Sequence, residues 1–168
     1  MAINSFKQGK KEQMPQMNKG GKYIFGRSVI RNNGFLTFPT QAIDEYQITS
    51  EGKIILFTGS KSTGGFCVTR KGLLSPSQLG FILEELPDLC GCTLPEGEFV
   101  AYKGRAYCWL SVTSNGIIRL DDAMLSFLSL SEGMSLLSIR SSNIAFTMGA
   151  KGPLLQKAVQ YDGVIPEY

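Results

Sequence analysis

Two stretches of the chain carry the same ordered landmarks. Residues 33–72 run Asn33-Gly34, an apolar run, a short helical stretch, Ser50-Glu51-Gly52, a second apolar run, then Phe66 and Lys71-Gly72. Residues 115–152 run Asn115-Gly116, an apolar run, a short helical stretch, Ser131-Glu132-Gly133, a second apolar run, then Phe146 and Lys151-Gly152. Asn33 to Ser50 spans 17 positions and Asn115 to Ser131 spans 16; Gly52 to Lys71 spans 19 and Gly133 to Lys151 spans 18. Near-constant spacing predicts an internal duplication, and a duplication limits the fold more than any single residue does. The competing reading is that Asn-Gly and Glu-Gly are common turn dipeptides in any strand-rich chain.

Each stretch reads as strand, turn, strand, short helix, strand, turn, strand. Residues 23–31 suit a strand, and Asn32-Asn33-Gly34 a tight turn, because Asn and Gly tolerate positive φ. Residues 35–38 return, with Leu36 and Phe38 on one face. Pro39 opens a short helix in its first turn. Residues 53–58 and 66–70 make a second hairpin. In the second stretch, residues 105–113 precede the turn, and Ile118 and Leu120 alternate with Arg119. Asp121 or Asp122 caps the short helix, and residues 134–140 and 144–148 form the last hairpin. A longer helix is expected after each stretch. Ser75-Pro76 starts one, with Leu79, Ile82, Leu83 and Leu86 as its apolar stripe; Pro153 opens the other, with Leu154, Leu155, Ala158 and Val159. The expected fold class is mainly β with short helices (β or α+β). Leu36, Phe38, Ile55, Ile118, Leu120 and Leu136 are expected to face one core shared by both stretches.

The 168 residues, 43% hydrophobic, suffice for one ordinary domain or two small ones. No run of 18 apolar residues predicts a membrane span. The N-terminus lacks an apolar signal core, so a cytoplasmic protein is expected. Histidine is absent, which removes imidazole bases and His-dependent nucleophiles. The remaining carboxylates and lysines form no catalytic constellation, so no enzyme and no cofactor is expected. Of the four cysteines, Cys67 and Cys108 sit in apolar runs and read as buried thiols. Cys90 and Cys92 are one residue apart, where paired zinc ligands usually stand two apart. A metal or redox pair there competes with the favoured reading, free thiols in a reducing compartment.

The charge is uneven. Residues 1–22 carry five lysines and one glutamate, whereas residues 73–98 carry five acidic groups and no basic one. The expected organisation is a disordered basic tail (1–22), a first unit with its trailing helix (23–98) and a second (99–168). A basic tail reaches nucleic acid by phosphate contacts, or serves only as a solubilising leader.

Residues 23–72 resemble the swapped-hairpin domain of the AbrB/MazE/SpoVT transition-state-regulator family. The resemblance rests on Arg27-Ser28-Val29-Ile30, the turn ending at Gly34, Phe35-Leu36-Thr37-Phe38-Pro39, the short helix ending at Ile48, Glu51-Gly52, and Lys53-Ile54-Ile55-Leu56. Residues 105–152 match more loosely, with Asp121 in place of the proline. The resemblance implies a barrel closed by interleaved hairpins, here a fused pseudo-dimer within one chain. It also implies DNA binding through arginines on the first hairpin and short helix. Arg27 and Arg31 fit that role, and Arg119 lies on the returning strand of the second stretch. Asp44 and Glu45 stand where the family commonly has arginine, and carboxylates repel phosphates.

The expected function is therefore an AbrB-like DNA-binding transcription regulator, or a protein derived from one. Its DNA contacts are expected at Lys7, Lys10, Lys11, Lys19, Lys22, Arg27, Arg31 and Arg119, and to be weak and largely nonspecific. The alternative is a protein-interaction or assembly module with the same barrel that binds itself or a partner protein and has lost specific DNA binding. No membrane partner and no metal site are expected.

Overall fold

The computed structural model describes residues 23–159 and 163–168. The chain is mainly β with short helices. The elements are β1 (Ile24–Val29), a 3-10 turn (Asn32–Gly34), β2 (Phe35–Thr37), α1 (Thr40–Tyr46), β3 (Lys53–Thr58) and β4 (Phe66–Thr69). Then come α2 (Lys71–Leu74), α3 (Phe81–Glu85), α4 (Pro87–Cys90), β5 (Val100–Tyr102), β6 (Arg105–Ser111) and β7 (Ile117–Arg119). The chain closes with α5 (Asp122–Leu128), β8 (Ser135–Arg140), β9 (Phe146–Gly149) and α6 (Pro153–Val159). Seven strands form an antiparallel sheet in the order β1-β8-β9-β4-β3-β6-β5, and β2 pairs separately with β7.

The turns behave as their residues dictate. Asn33 has φ 65° and Gly34 φ 82°, and Gly116 has φ 80°. At Gly34 the need is steric as well, because a Cβ there would lie 1.8 Å from the Leu120 carbonyl oxygen. That close approach carries a hydrogen bond from Leu120 N to Gly34 O (2.8 Å), answered by one from Phe38 N to Gly116 O (2.9 Å). Asp121 caps α5 by accepting Met124 N at 2.9 Å, which neutralises one of the unpaired donors at a helix start.

Strand partners lie far away in sequence. The strand expected to return after the first turn, β2, does not pair with β1; it pairs with β7, Leu36 opposite Ile118. β1 pairs with β8, Ser28 opposite Leu136, and β3 pairs with β6, Leu56 opposite Cys108. β4 and β9 pair across Cys67 and Thr147. One main core follows, holding Leu36, Phe38, Ile118, Leu120 and Leu136. Phe146 packs edge-on against Phe25 and Phe38 within it, and burying one such ring stabilises by about 2–3 kcal/mol.

Ile55 differs from the expectation. It is buried, but on the opposite face of β3, where it joins Leu74, Ile82, Leu83, Leu89 and Tyr107. β3 is apolar on both faces because the helices of residues 71–90 cover its outside, so Ile54 and Leu56 take the inner positions. The helix expected from Ser75-Pro76 is also absent. Ser75 ends α2, turns follow, and α3 begins only at Phe81. At Gly80 a Cβ would meet the Ser75 carbonyl oxygen at 2.2 Å, so the backbone folds back on itself there and leaves Leu79 exposed. Pro39 precedes α1 as its cap and does not enter the first turn. β5, which the sequence reading omits, pairs with β6 through the Lys103-Gly104 turn. Farther along the same outer face, α6 packs Leu154, Leu155 and Ala158 over Ile24, Leu137 and Ile139. No described helix is long and apolar enough to cross a membrane.

Candidate nucleic-acid interface

The arginines divide into two places. Arg31 and Arg119 both stand at the tip of the β2–β7 pair. Arg31 is exposed at the start of the 3-10 turn, where its N–H bonds Phe35 O at 2.8 Å and its carbonyl accepts Gly34 N at 3.0 Å. Arg119, outward on β7 because Ile118 faces the core, donates Nε to Asn33 O at 2.9 Å. Its guanidinium lies 6.0 Å from the centre of the Phe35 ring, which is 44% exposed. The tip therefore presents two guanidinium groups and one aromatic ring. It also holds a carboxylate: Glu132 Oε2 accepts Asn33 N at 2.8 Å.

Arg27 sits apart from this tip. It is half-buried on β1, and the C-terminal residues lie along its strand. Arg27 N donates to Pro166 O at 2.8 Å, and Tyr168 N donates to Arg27 O at 2.7 Å. Lys7, Lys10, Lys11, Lys19 and Lys22 lie outside the described residues.

The acidic face of α1 is less repulsive than its sequence implies. Arg140 holds Glu45 in a two-pronged pair, Nε to Oε2 at 2.7 Å and Nη2 to Oε1 at 2.5 Å. The same guanidinium lies over Tyr23 at 4.6 Å and Phe25 at 5.6 Å. Its hydrogen bonds to Glu45 raise the Arg140 pKa further above its ordinary value. Asp44 is the other acid of α1, exposed and in no ion pair among the described residues. Arg140 escapes the sequence reading because 95 positions separate it from Glu45, and no local pattern joins them.

The cysteines are all free thiols, with Cys67 and Cys108 buried and Cys90 and Cys92 half-buried. Burial pushes the Cys108 thiol up to about 12 and also raises that of Cys67, so both stay protonated and slow to react near neutrality. No group of three or more cysteines and carboxylates is placed to hold a metal among the described residues.

No protein-family model and no curated protein matches the chain.

Proposed function

We propose that the chain is an AbrB-like, regulator-derived DNA-binding protein built as a duplicated swapped-hairpin barrel, a dimer fused into one polypeptide. The reciprocal strand exchange carries this reading. The first strand of each stretch pairs with the third strand of the other (β1 with β8, β6 with β3), while β2 pairs with β7 and β4 with β9. Such an exchange is what two interleaved, two-fold-related hairpin units produce. It also supplies what one unit lacks, since a few short strands cannot bury a core alone. Residues of both stretches share the main core.

DNA is held at the β2–β7 tip by Arg31 and Arg119, with the lysines of residues 1–22 adding phosphate contacts. Two guanidiniums beside one carboxylate give little sequence readout, so affinity is weak, largely nonspecific and steeply salt-dependent. The test is a titration of the full chain with duplex DNA across salt concentrations. Replacing all five N-terminal lysines by glutamine should remove most of the affinity, and R31Q with R119Q should remove most of the remainder. Tight, sequence-selective binding that survives both sets of substitutions would overturn this reading and show that another face reads DNA. Complete absence of binding at low salt would favour the assembly module.

A further inference from the structure

The outer face of the main sheet is covered at two places and open between them. The helices of residues 71–90 cover β3 and β6, and α6 covers β8 and β1. Between these covers, over the β4–β9 seam, lies a groove of about 700 Å³. That volume falls within the range of small-ligand pockets.

The floor of the groove is polar. Cys67 and Thr147 face each other across the seam, Sγ 3.5 Å from Oγ1. The Thr147 hydroxyl also bonds that of Ser141. The walls are aromatic. Phe57 and Tyr107 lie on one side, their ring centres 5.6 Å apart, and Phe81 and Tyr102 line it as well, with Leu74, Ile82 and Ile144 among the aliphatic residues. Leu79 and Phe81 remain 43% and 39% exposed at the rim, although both are large apolar side chains beside a concave surface. A hydroxyl cluster forms the remaining edge, with Ser60 Oγ 2.9 Å from Ser62 Oγ and 3.1 Å from Thr63 Oγ1.

Two cations stand at the mouth. Lys103 Nζ stands 5.6 Å from the Phe81 ring centre and 5.4 Å from that of Tyr102. The Arg105 guanidinium stands 5.4 Å from the Phe57 ring centre and donates to Thr58 O at 2.9 Å. Among the described residues no aspartate or glutamate lines the groove, although Glu85 lies close enough to the Tyr102 hydroxyl to raise its pKa. The ion pairs among the described residues, Arg70–Glu51 and Arg140–Glu45, lie elsewhere. Two cations thus lean on aromatic walls, neither of them in an ion pair among the described residues, and both charges are available to an incoming anion.

We propose that this groove binds a small planar anion, an aromatic ring bearing one phosphate or carboxylate group. The ring stacks along the aromatic walls, the anionic group meets Lys103 and Arg105, and the hydroxyls take its polar edges. Cations are rejected by the same two charges. The proposal is independent of the DNA reading, because Arg31 and Arg119 take no part in the groove.

The experiment is calorimetric titration of the full chain with phenyl phosphate, adenosine monophosphate and naphthoate. Phenol, adenosine and naphthamide serve as the matched neutral compounds. At least one anion should bind saturably with Kd below about 1 mM, and its neutral counterpart at least about tenfold more weakly, as expected for a charge-assisted contact. K103E and R105Q, both at exposed positions, should each weaken the anion about tenfold or more. F81A should weaken it severalfold through lost stacking. Thermal unfolding of each variant confirms that it is folded. Preference among the anions identifies the source, nucleotide or simple aromatic acid. Absence of saturable binding by all three anions would overturn the proposal. So would equal affinity for neutral counterparts, or indifference to both K103E and R105Q in folded variants.

Discussion

Glu51 and Glu132 occupy the same place in two Ser-Glu-Gly turns and reach different partners. Glu51 stays within its own stretch, where Oε2 accepts Arg70 Nη1 at 2.7 Å and Gly72 N at 2.9 Å. Arg70 is held in turn through Nε to Tyr46 O at 2.9 Å. Glu132 crosses to the other stretch and accepts Asn33 N. The cause is one residue. Arg70 precedes Lys71-Gly72, whereas Ala150 precedes Lys151-Gly152, so no local guanidinium captures Glu132. The short helices differ in the same way. Glu45 of α1 is bound by Arg140. Phe127, at the same distance after its Asn-Gly turn, stacks on Phe99 with ring centres 4.5 Å apart. Shared landmarks set similar backbone turns, and single side chains decide what each turn is tied to.

The largest expected contrast lies in the core. Phe146 and Phe66 are both fully buried, but Phe146 also meets Phe25, Phe38 and Tyr46 ring to ring. F146A should cost about 4 kcal/mol of unfolding free energy, as large core truncations do. F66A should cost about 1 kcal/mol less, for want of comparable ring contacts. Urea denaturation measures both, and equal losses would remove the distinction between these sites.

The glycine turns come next. G34A puts a Cβ into the Leu120 carbonyl, 1.8 Å away, whereas at Gly116 the first obstacle is the movable end of Ile43 at 2.2 Å. Gly52 has φ 70° and nothing within 4 Å of a Cβ. G34A should therefore cost about 3 kcal/mol or more, G116A about 2 and G52A about 1, the last being the left-handed backbone cost alone. The same denaturation series ranks them, and a G52A loss matching that of G34A would refute the steric account.

These contrasts separate what the sequence makes legible from what it does not. Alternation placed Leu36, Phe38, Ile118, Leu120 and Leu136 inward, and all five lie in the main core. It failed for Ile55, because Lys53-Ile54-Ile55-Leu56-Phe57 is apolar on both faces and period-two reasoning cannot choose between them. It failed at residues 75–80, where a helical stripe competes with a backbone fold-back that only tertiary packing reveals. Strand partners were not legible locally either, since Asn-Gly predicts a turn but does not say that the next strand pairs 82 positions away, as Leu36 does with Ile118. At the candidate DNA tip, Arg31 and Arg119 came from sequence, while Glu132 beside them and the Arg140 clamp on Glu45 required the fold.

Helix caps give a smaller contrast. α5 begins with the Asp121 side-chain cap, whereas α1 begins after Pro39 with none. D121A should lower stability by about 1 kcal/mol, because it removes both the side-chain acceptor and the favourable negative charge at the helix start. P39A should change stability less than D121A, read by thermal unfolding. D121N, which keeps a capping acceptor, should recover part of the loss, and equal losses for D121A and D121N would place the effect in packing and not in the cap.

The smallest expected effects are the two ion pairs, and they sharpen the opening comparison most directly. The Arg140 and Glu45 side chains are 39% and 35% exposed, against 17% and 30% for Arg70 and Glu51. Solvent screens the first pair more, so a double-mutant cycle on Glu45 and Arg140 should give a coupling of about 0.5 kcal/mol. Glu51 and Arg70 should couple by about 1 kcal/mol, because their pair is drier and tied to two backbone groups. Arg140 has a second role that Glu45 does not share, since its guanidinium stacks on Tyr23 and Phe25. R140A should therefore cost more than E45A, and that excess should persist at about 1 M salt, where exposed ion pairs are largely screened. The coupling term should fade there, while the ring contact remains. If salt abolished the whole R140A effect, stacking would contribute nothing. If Glu45 and Arg140 coupled more strongly than Glu51 and Arg70, exposure would not be what separates the two turns.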